Sequence, residues 1–228
     1  MMNEHSEVPL ILQRALRNAR VKRMPSGQII FYENDLPQEV YVVKEGIVKV
    51  YDIDEQGNEK ILHLVKTPAI IPFAFFSGLH DPLRWFYSTL TDCELYVFSF
   101  VELQRIALTD SAIGEAITNT FSKEVHELLV RLSSLSKTSA RDKVVAALNF
   151  LLEAHATEKR AQWWQVNFPV SHQLIADISG ITRETAAIMM KELQSEKVVR
   201  NPKVTVLEIN KKMLLQSTVA TDINTRTV

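Results

Sequence analysis

The sequence predicts an α+β fold with an antiparallel β domain first, a long helix in the middle and a small helical domain with a hairpin last. Three observations support this prediction. Short runs of β-branched and aromatic residues occupy positions 28–99, and an apolar seam with helical spacing follows over 113–135. Two shorter helical patterns separated by a glycine then lie within 171–195. A chain of 228 residues has room for two compact units and a connecting element.

The β region is divided into short segments by turn residues. Gly46 and Gly57 fall between apolar runs, and the segment 54–58 is typical of a hairpin loop because Gly and Asn tolerate positive φ. Many short strands at this spacing indicate an antiparallel sandwich or barrel. Before them, helical spacing of apolar residues predicts an N-terminal helix over 8–20. The predicted strand segments are 29–32, 40–43, 47–51, 61–65 and 95–98.

A short helix over 100–108 and then a much longer one are predicted after the strands. The apolar residues of the long helix recur at steps of four or three along about seven turns. A helix this long needs its seam covered. We expect the β domain of the same chain to cover part and a two-fold partner to cover the rest, as a parallel homodimer. The predicted dimer-interface residues are Ile113, Ile117, Phe121, Val125, Leu128, Leu132 and Leu135.

Polar residues with weak helix propensity interrupt the apolar pattern at 136–139 and predict a hinge that caps the next helix. The helical pattern resumes over 141–155. The expected organisation is therefore a β domain over 1–108, a dimerisation helix and hinge over 109–137, a second domain over 138–217 and a polar tail over 218–228.

The segment 171–199 carries the clearest functional motif. Ser171 can cap a first helix, Gly180 supplies a left-handed residue for a sharp turn, and Thr182 can cap a second helix. A strand candidate precedes this pair of helices at 163–166, and a predicted hairpin with strands at 198–199 and 204–206 follows it. This order predicts a winged helix-turn-helix, whose second helix reads the DNA major groove.

The outward face of the second helix carries candidate DNA contacts. Arg can bind guanine O6 and N7, Glu can accept from cytosine N4, and hydroxyl or basic groups suit phosphates. The predicted base-reading residues are Arg183, Glu184, Ala187 and Ile188, and the predicted phosphate contacts are His172, Thr182, Thr185 and Lys191. The C-terminal part over 139–228 holds 12 basic and 9 acidic residues, although the whole chain has a net charge of −1. This positive balance favours DNA binding in that part.

The segments 141–148 and 174–185 strongly resemble the DNA-binding part of the CRP/FNR family, the cyclic-AMP receptor protein and its relatives. The order of helix, strands, long helix and winged domain is similar to that family along nearly the whole chain. The resemblance implies an N-terminal β-roll of the cyclic-nucleotide-binding type and a homodimer that binds double-stranded DNA at a two-fold symmetric operator. It leaves RNA polymerase open as a further partner. Ile188 stands where many relatives have a second base-reading Arg, so we expect a different half-site.

The sensor domain departs from the cyclic-nucleotide binders of that family. Their phosphate cassette uses a Gly-Glu-x-Gly segment and an Arg followed by Ser or Thr, whereas the corresponding stretch over 71–76 has no carboxylate, and Pro72 lacks an amide donor. Cyclic AMP is therefore not the expected effector. An aromatic cluster could instead be ordinary core or line a pocket for a small apolar effector. The candidate pocket residues are Phe73, Phe75, Phe76, Arg84 and Trp85.

Metal and haem sites are not predicted. His63 and His80 are isolated candidates for a haem ligand, and His63 alternates with leucines, which favours a position facing solvent. The single cysteine, Cys93, excludes an internal disulfide and the cysteine set of FNR-type oxygen sensors. We therefore expect no cofactor, with haem or a small apolar effector left open.

Other classes of function have weaker support. No nucleophile triad, glycine-rich phosphate loop or paired-carboxylate motif is visible, so an enzyme is not expected. A haem-binding or ligand-sensing dimer that needs an unidentified effector to bind DNA is one alternative, and a ligand-sequestering dimer that has lost DNA binding is another. The longest apolar run, 69–76, is too short to span a membrane. Together with the absence of a targeting segment, it predicts a cytoplasmic protein without a membrane partner.

Overall fold

The computed structural model of the chain describes residues 19–67, 69–73 and 81–217. These residues form two compact units, one from positions up to 52 and 61–129, the other from 53–60 and from 130 onward. The predicted N-terminal helix lies outside the described residues except at its end. There Arg20 begins a strand instead of ending a helix.

The first unit is built on two four-stranded antiparallel sheets, with strand orders β1-β8-β3-β6 and β2-β7-β4-β5. This arrangement confirms the predicted antiparallel β domain. The strands are β1 (Arg20–Met24), β2 (Ile29–Phe31), β3 (Glu39–Glu45), β4 (Ile47–Ile53), β5 (Glu59–Lys66), β6 (Ala69–Ile71), β7 (Phe86–Thr89) and β8 (Cys93–Ser99).

Three of these strands, β1, β6 and β7, are absent from the predicted set. β1 lies at a sheet edge, and its first four residues are exposed and mostly basic, so it has no apolar signature. Basic residues on an edge strand also hinder pairing with another chain. β6 is only three residues long. The predicted loop at 54–58 is confirmed, because Gly57 has a φ of 82° and its N–H bonds the carbonyl of Asp54 at 2.8 Å.

Strand β3 shows how the sequence places apolar layers on both faces of one sheet. Tyr41 and Val43 join the core that contains residues of both sheets. Val40 and Val42 point the other way and pack against helices. Alternate residues of a strand face opposite sides, so a continuous apolar run is what a strand buried on both faces requires.

Two helices follow the β domain, α1 (Phe100–Thr109) and α2 (Ser111–Leu135), as predicted. The Asp110 carboxylate caps α2 by accepting hydrogen bonds from the N–H groups of Ala112 at 3.0 Å and Ile113 at 3.3 Å. Ile113 and Ile117 are buried in the same cluster as Val40 and Val42.

The expected cover of part of the seam by the β domain is seen at Ile113 and Ile117, which are among the predicted dimer-interface residues but are buried within their own chain. The side chains of Ile113 and Ile117 are buried in the core of their own chain, and Phe121 packs partly against that core. The remainder of the seam is different, since Val125, Leu128, Leu132 and Leu135 are all exposed. An exposed apolar stripe along a helix marks a surface that another element covers.

The prediction that His63 faces solvent is wrong. Its side chain is 1% exposed, and its Nε2 lies 2.7 Å from Oε2 of Glu124 on α2. Alternation with leucines misled the prediction because β5 is buried on both faces: Ile61, Leu64 and Val65 are buried as well.

In its described part, the second unit contains a four-stranded antiparallel sheet of order β11-β12-β10-β9 and four helices besides the end of α2. The predicted strand 163–166 is confirmed, whereas Val204 and Thr205, predicted as strand, form the turn of the last hairpin. None of the described helices is both long and apolar enough to cross a membrane. The elements are α3 (Ala140–His155), β9 (Ala156–Arg160), β10 (Trp163–Val166), α4 (His172–Ser179), α5 (Arg183–Ser195), β11 (Val199–Lys203), β12 (Val206–Asn210) and α6 (211–217).

Candidate nucleic-acid interface

Helices α4 and α5 form the predicted helix-turn-helix. The Ser171 hydroxyl caps α4 by accepting from the N–H of Leu174 at 3.1 Å. Gly180 ends the helix with a φ of 64°, in the left-handed region that favours glycine. The next N–H, of Ile181, bonds back to the carbonyl of Ala176 at 3.2 Å. These bonds set the sharp turn between the two helices.

Helix α5 has one buried face and one exposed face. Ala186, Met190 and Leu193 are buried, which anchors the helix in the core of its unit. The opposite face carries exposed Arg183, Glu184, Ile188 and Lys191. Ile188 is 57% exposed, although it is a large apolar side chain. Three of the four predicted base-reading residues are thus exposed, while Ala187 is half-buried at the edge of that face.

The predicted phosphate contacts are of two kinds: some have hydroxyls that already form hydrogen bonds within the protein, and others have exposed side chains. The Thr182 Oγ1 accepts from the N–H of Thr185 at 3.2 Å, as the cap of α5, and lies 2.9 Å from the Thr185 hydroxyl. The two hydroxyls therefore shape the start of the helix first. His172, in the first turn of α4, and Lys191 are exposed. A helix N-terminus attracts anions through its unpaired N–H groups, so the first turns of α4 and α5 suit a phosphate backbone.

The end of α2 is tied directly to the helix-turn-helix. The buried Arg131 guanidinium donates a hydrogen bond to the carbonyl of Ile178 in the last turn of α4. It also lies 5.7 Å from the ring centre of Phe150 on α3. Burial lowers the pKa of Arg131 to about 10, so the guanidinium stays charged at neutral pH. This hydrogen bond therefore ties the end of α2 to the last turn of α4.

A second tie joins α3 to the end of α5. The Arg141 guanidinium donates two hydrogen bonds to the Glu196 carboxylate, at 2.9 Å and 2.6 Å. The paired geometry fixes orientation as well as distance. Ser139 caps α3 by accepting from the N–H of Asp142 at 3.1 Å, which confirms the predicted capping role of the segment 136–139.

The hairpin β11-β12 adds basic groups that the sequence reasoning did not single out. Arg200 lies 4.1 Å above the ring centre of Trp163 and donates to the Glu208 carboxylate at 2.6 Å. Lys203 and Val204 are exposed at the tip. The available sequence signal was the basic residues at 200 and 203 between valine runs. A wing of this kind lies next to a recognition helix in winged domains, so its tip is a candidate phosphate contact.

The structure separates the described members of the candidate effector pocket. Phe73 packs inward, with its ring centre 6.3 Å from that of His63 and 6.4 Å from that of Phe121. Arg84 and Trp85 are exposed just before β7. Phe75, Phe76 and His80 lie outside the described residues.

Known proteins share both domains. Residues 21–110 match the family model of the cyclic nucleotide-binding domain, and residues 146–214 match that of the Crp-like helix-turn-helix domain. The HTH-type transcriptional regulator ArcR of Staphylococcus haemolyticus is 25% identical, over 85% of this chain and 84% of its own length. The cyclic AMP receptor protein of Thermus thermophilus is 26% identical, over 93% of this chain and 94% of its own length.

The fold comparison agrees with the two domain models. A cyclic nucleotide-binding domain containing protein from Listeria monocytogenes superposes with a TM-score of 0.77 at 16% identity, over 90% of this chain and 99% of that one. The β domain, the long helix, the capped helix pair and these matches lead to one conclusion. The chain belongs to the CRP/FNR family of DNA-binding transcription regulators.

Proposed function

We propose that this protein is a homodimeric regulator that reads a two-fold symmetric operator and does so without cyclic AMP. The observation that carries the proposal is the exposed face of α5, with Arg183 and Glu184 in its first turn and Ile188 one turn later. The first turn of a recognition helix reaches base edges in the major groove.

The side chains on this face suggest what the half-site contains. Arg183 suits guanine through a bidentate contact, and Glu184 suits cytosine as an acceptor. Ile188 cannot donate to guanine, but its exposed side chain can contact the methyl group of thymine. The half-site is therefore expected to differ from that of relatives with an Arg at this position.

The homodimer is supported by the exposed stripe of Val125, Leu128, Leu132 and Leu135 on α2. These residues recur at steps of three and four, which is the spacing of a two-stranded helical seam. Two copies related by a two-fold axis place their recognition helices in successive major grooves when these lie about 34 Å apart. The hydrogen bond from Arg131 to Ile178 then connects the seam to the helix-turn-helix.

Independence from cyclic AMP is supported by the chemistry of the segment 71–73. Ile71, Pro72 and Phe73 offer neither a carboxylate for a ribose hydroxyl nor the paired amides of a phosphate cassette. Arg84, the available guanidinium nearby in sequence, is exposed just before β7. A phosphate buried among apolar side chains needs amide donors and a guanidinium to offset its desolvation.

The test is selection of bound duplexes from a random DNA pool by the purified protein without added nucleotide. A two-fold symmetric motif is the expected result. Arg183→Ala should cost about 1–3 kcal/mol and relax the preference at one base pair per half-site, whereas Lys191→Ala should weaken binding to all sequences alike. If Arg183→Ala also weakened all sequences equally, the assignment of Arg183 to base reading would be wrong. A motif that appears only when cyclic AMP is added would refute the nucleotide-independent mode.

A further inference from the structure

Three potential metal ligands converge where β5 meets α2. His63 comes from the strand, and Glu124 and Glu127 come from one face of the helix, since residues three apart are neighbours there. The His63 Nε2 lies 2.7 Å from Oε2 of Glu124 and 3.8 Å from Oε2 of Glu127. One donor atom from each of the three residues falls within 4.8 Å of the other two.

This cluster is enclosed on one side and open on the other. The side chains of His63 and Glu124 are 1% and 9% exposed, whereas that of Glu127 is 34% exposed. Two carboxylates held close together at a partly buried site repel each other, and the burial of each charge costs desolvation free energy. Burial first, and then the charge of Glu124, hold the pKa of Glu127 above its usual range. Lys66 lies close enough to attract both carboxylates but is itself partly desolvated.

We propose that His63, Glu124 and Glu127 bind a divalent transition-metal ion, such as Zn²⁺ or Mn²⁺. One imidazole nitrogen and two carboxylate oxygens form a donor set that such ions accept. The two carboxylates supply a formal charge of −2, which the ion neutralises. Glu127 is the partly exposed ligand, so its side provides the entry path and room for water as further ligands.

The distances are close to those that a metal ion requires. With metal–ligand bonds of about 2.0–2.2 Å, adjacent donor atoms lie roughly 3.0–3.5 Å apart. The contact from His63 to Glu124 must lengthen from 2.7 Å, and that from His63 to Glu127 must shorten from 3.8 Å, by roughly 0.3–0.8 Å each to reach that range. Rotation of the two glutamate side chains supplies changes of this size.

A metal ion here would fasten β5 to α2 at the point where the exposed stripe begins. Val125 and Leu128 each adjoin one of the two glutamates in sequence but are exposed. Fixing this turn of α2 would favour one arrangement of the stripe and thereby of the dimer. This regulatory consequence rests on the proposed function, whereas metal binding itself does not. It makes a divalent metal ion the effector class of the sensor domain.

The experiment is equilibrium dialysis of the chelator-treated, full-length protein against Zn²⁺ and Mn²⁺, with Co²⁺ as a spectroscopic probe. We expect one ion per chain and a cobalt spectrum that reports nitrogen and oxygen ligands. His63→Gln and Glu127→Gln should weaken binding by about 100-fold or more, since even changes around a metal site typically cost 10–100-fold. Glu115→Gln alters an exposed carboxylate on the same helix, away from the cluster, and should leave binding unchanged.

Each outcome decides the proposal. Absence of stoichiometric binding, or equal binding by wild type and Glu127→Gln, would overturn it. Glu127→Gln is the more informative variant because its partly exposed position tolerates the change, and circular dichroism and thermal unfolding without metal check its fold. DNA selection is measured separately with and without the ion. Failure to bind metal leaves a DNA motif intact, whereas failure to read DNA leaves the dialysis result intact.

Discussion

Replacing Leu132 with alanine is expected to weaken the dimer by roughly 30- to 700-fold. Leu132 lies in the exposed part of the α2 seam, and the residue is 65% exposed in the single chain. Full burial of a leucine contributes about 1.5–3 kcal/mol. If the partner subunit covers the 65% of Leu132 that is exposed in the single chain, the contribution is about 1–2 kcal/mol per subunit. A two-fold interface loses this contribution twice, which is about 2–4 kcal/mol, and each 1.4 kcal/mol changes Kd about tenfold.

Sedimentation equilibrium over a dilution series measures the dimer Kd directly. The folded monomer should be unaffected, since a change at an exposed position alters its free energy of unfolding by no more than about 0.5 kcal/mol. Circular dichroism at a concentration where the variant is monomeric checks this point. Operator affinity should fall together with dimerisation, because a monomer presents one recognition helix instead of two.

Leu108→Ala is the matched control. Leu108 is 80% exposed, more than Leu132, but it lies on α1 outside the stripe. The control should leave the dimer Kd unchanged. Equal effects of the two substitutions, or no effect of Leu132→Ala, would refute the assignment of the stripe to the dimer interface.

Two further predictions concern the local structure of the helix-turn-helix, and urea unfolding, which gives the free energy of unfolding, tests both. Gly180→Ala should lower the free energy of unfolding by about 1–2 kcal/mol, because the residue has a φ of 64° while an added Cβ meets nothing within 4 Å. Gly180→Asn should lower it less, since Asn tolerates the left-handed region; equal losses would point to a cause other than backbone conformation. Thr182→Ala should cost about 1 kcal/mol by removing the cap of α5, and Thr182→Ser should retain most of the stability. A Ser variant as unstable as Ala would contradict the capping role.

The helix-turn-helix was predictable because its signals are local. A cap is a bond between residues three apart, as between Thr182 and Thr185, and the turn at Gly180 depends on the conformation of one residue. The exposed face of α5 follows from helical periodicity once the buried residues are known. Three of the four predicted base-reading residues are exposed, and only Ala187 is half-buried.

Elements that depend on distant partners were harder to predict. Strand β1 carries mostly basic residues and forms because β8 offers it an edge, with Met24 opposite Cys93. The turn at Val204 and Thr205 depends on the register of β11 with β12, in which Lys203 faces Val206. A run of β-branched residues does not reveal where the chain reverses.

By itself, the sequence determined the order of the domains, the long helix and the residues that α5 can present to DNA. Each of these depends on periodicity, capping or turn chemistry within a few neighbouring residues. Only the tertiary structure decided which part of the α2 seam remains open and that His63 meets Glu124 and Glu127. Contacts between residues about 60 positions apart in sequence arise from sheet order and helix packing, which no local pattern encodes.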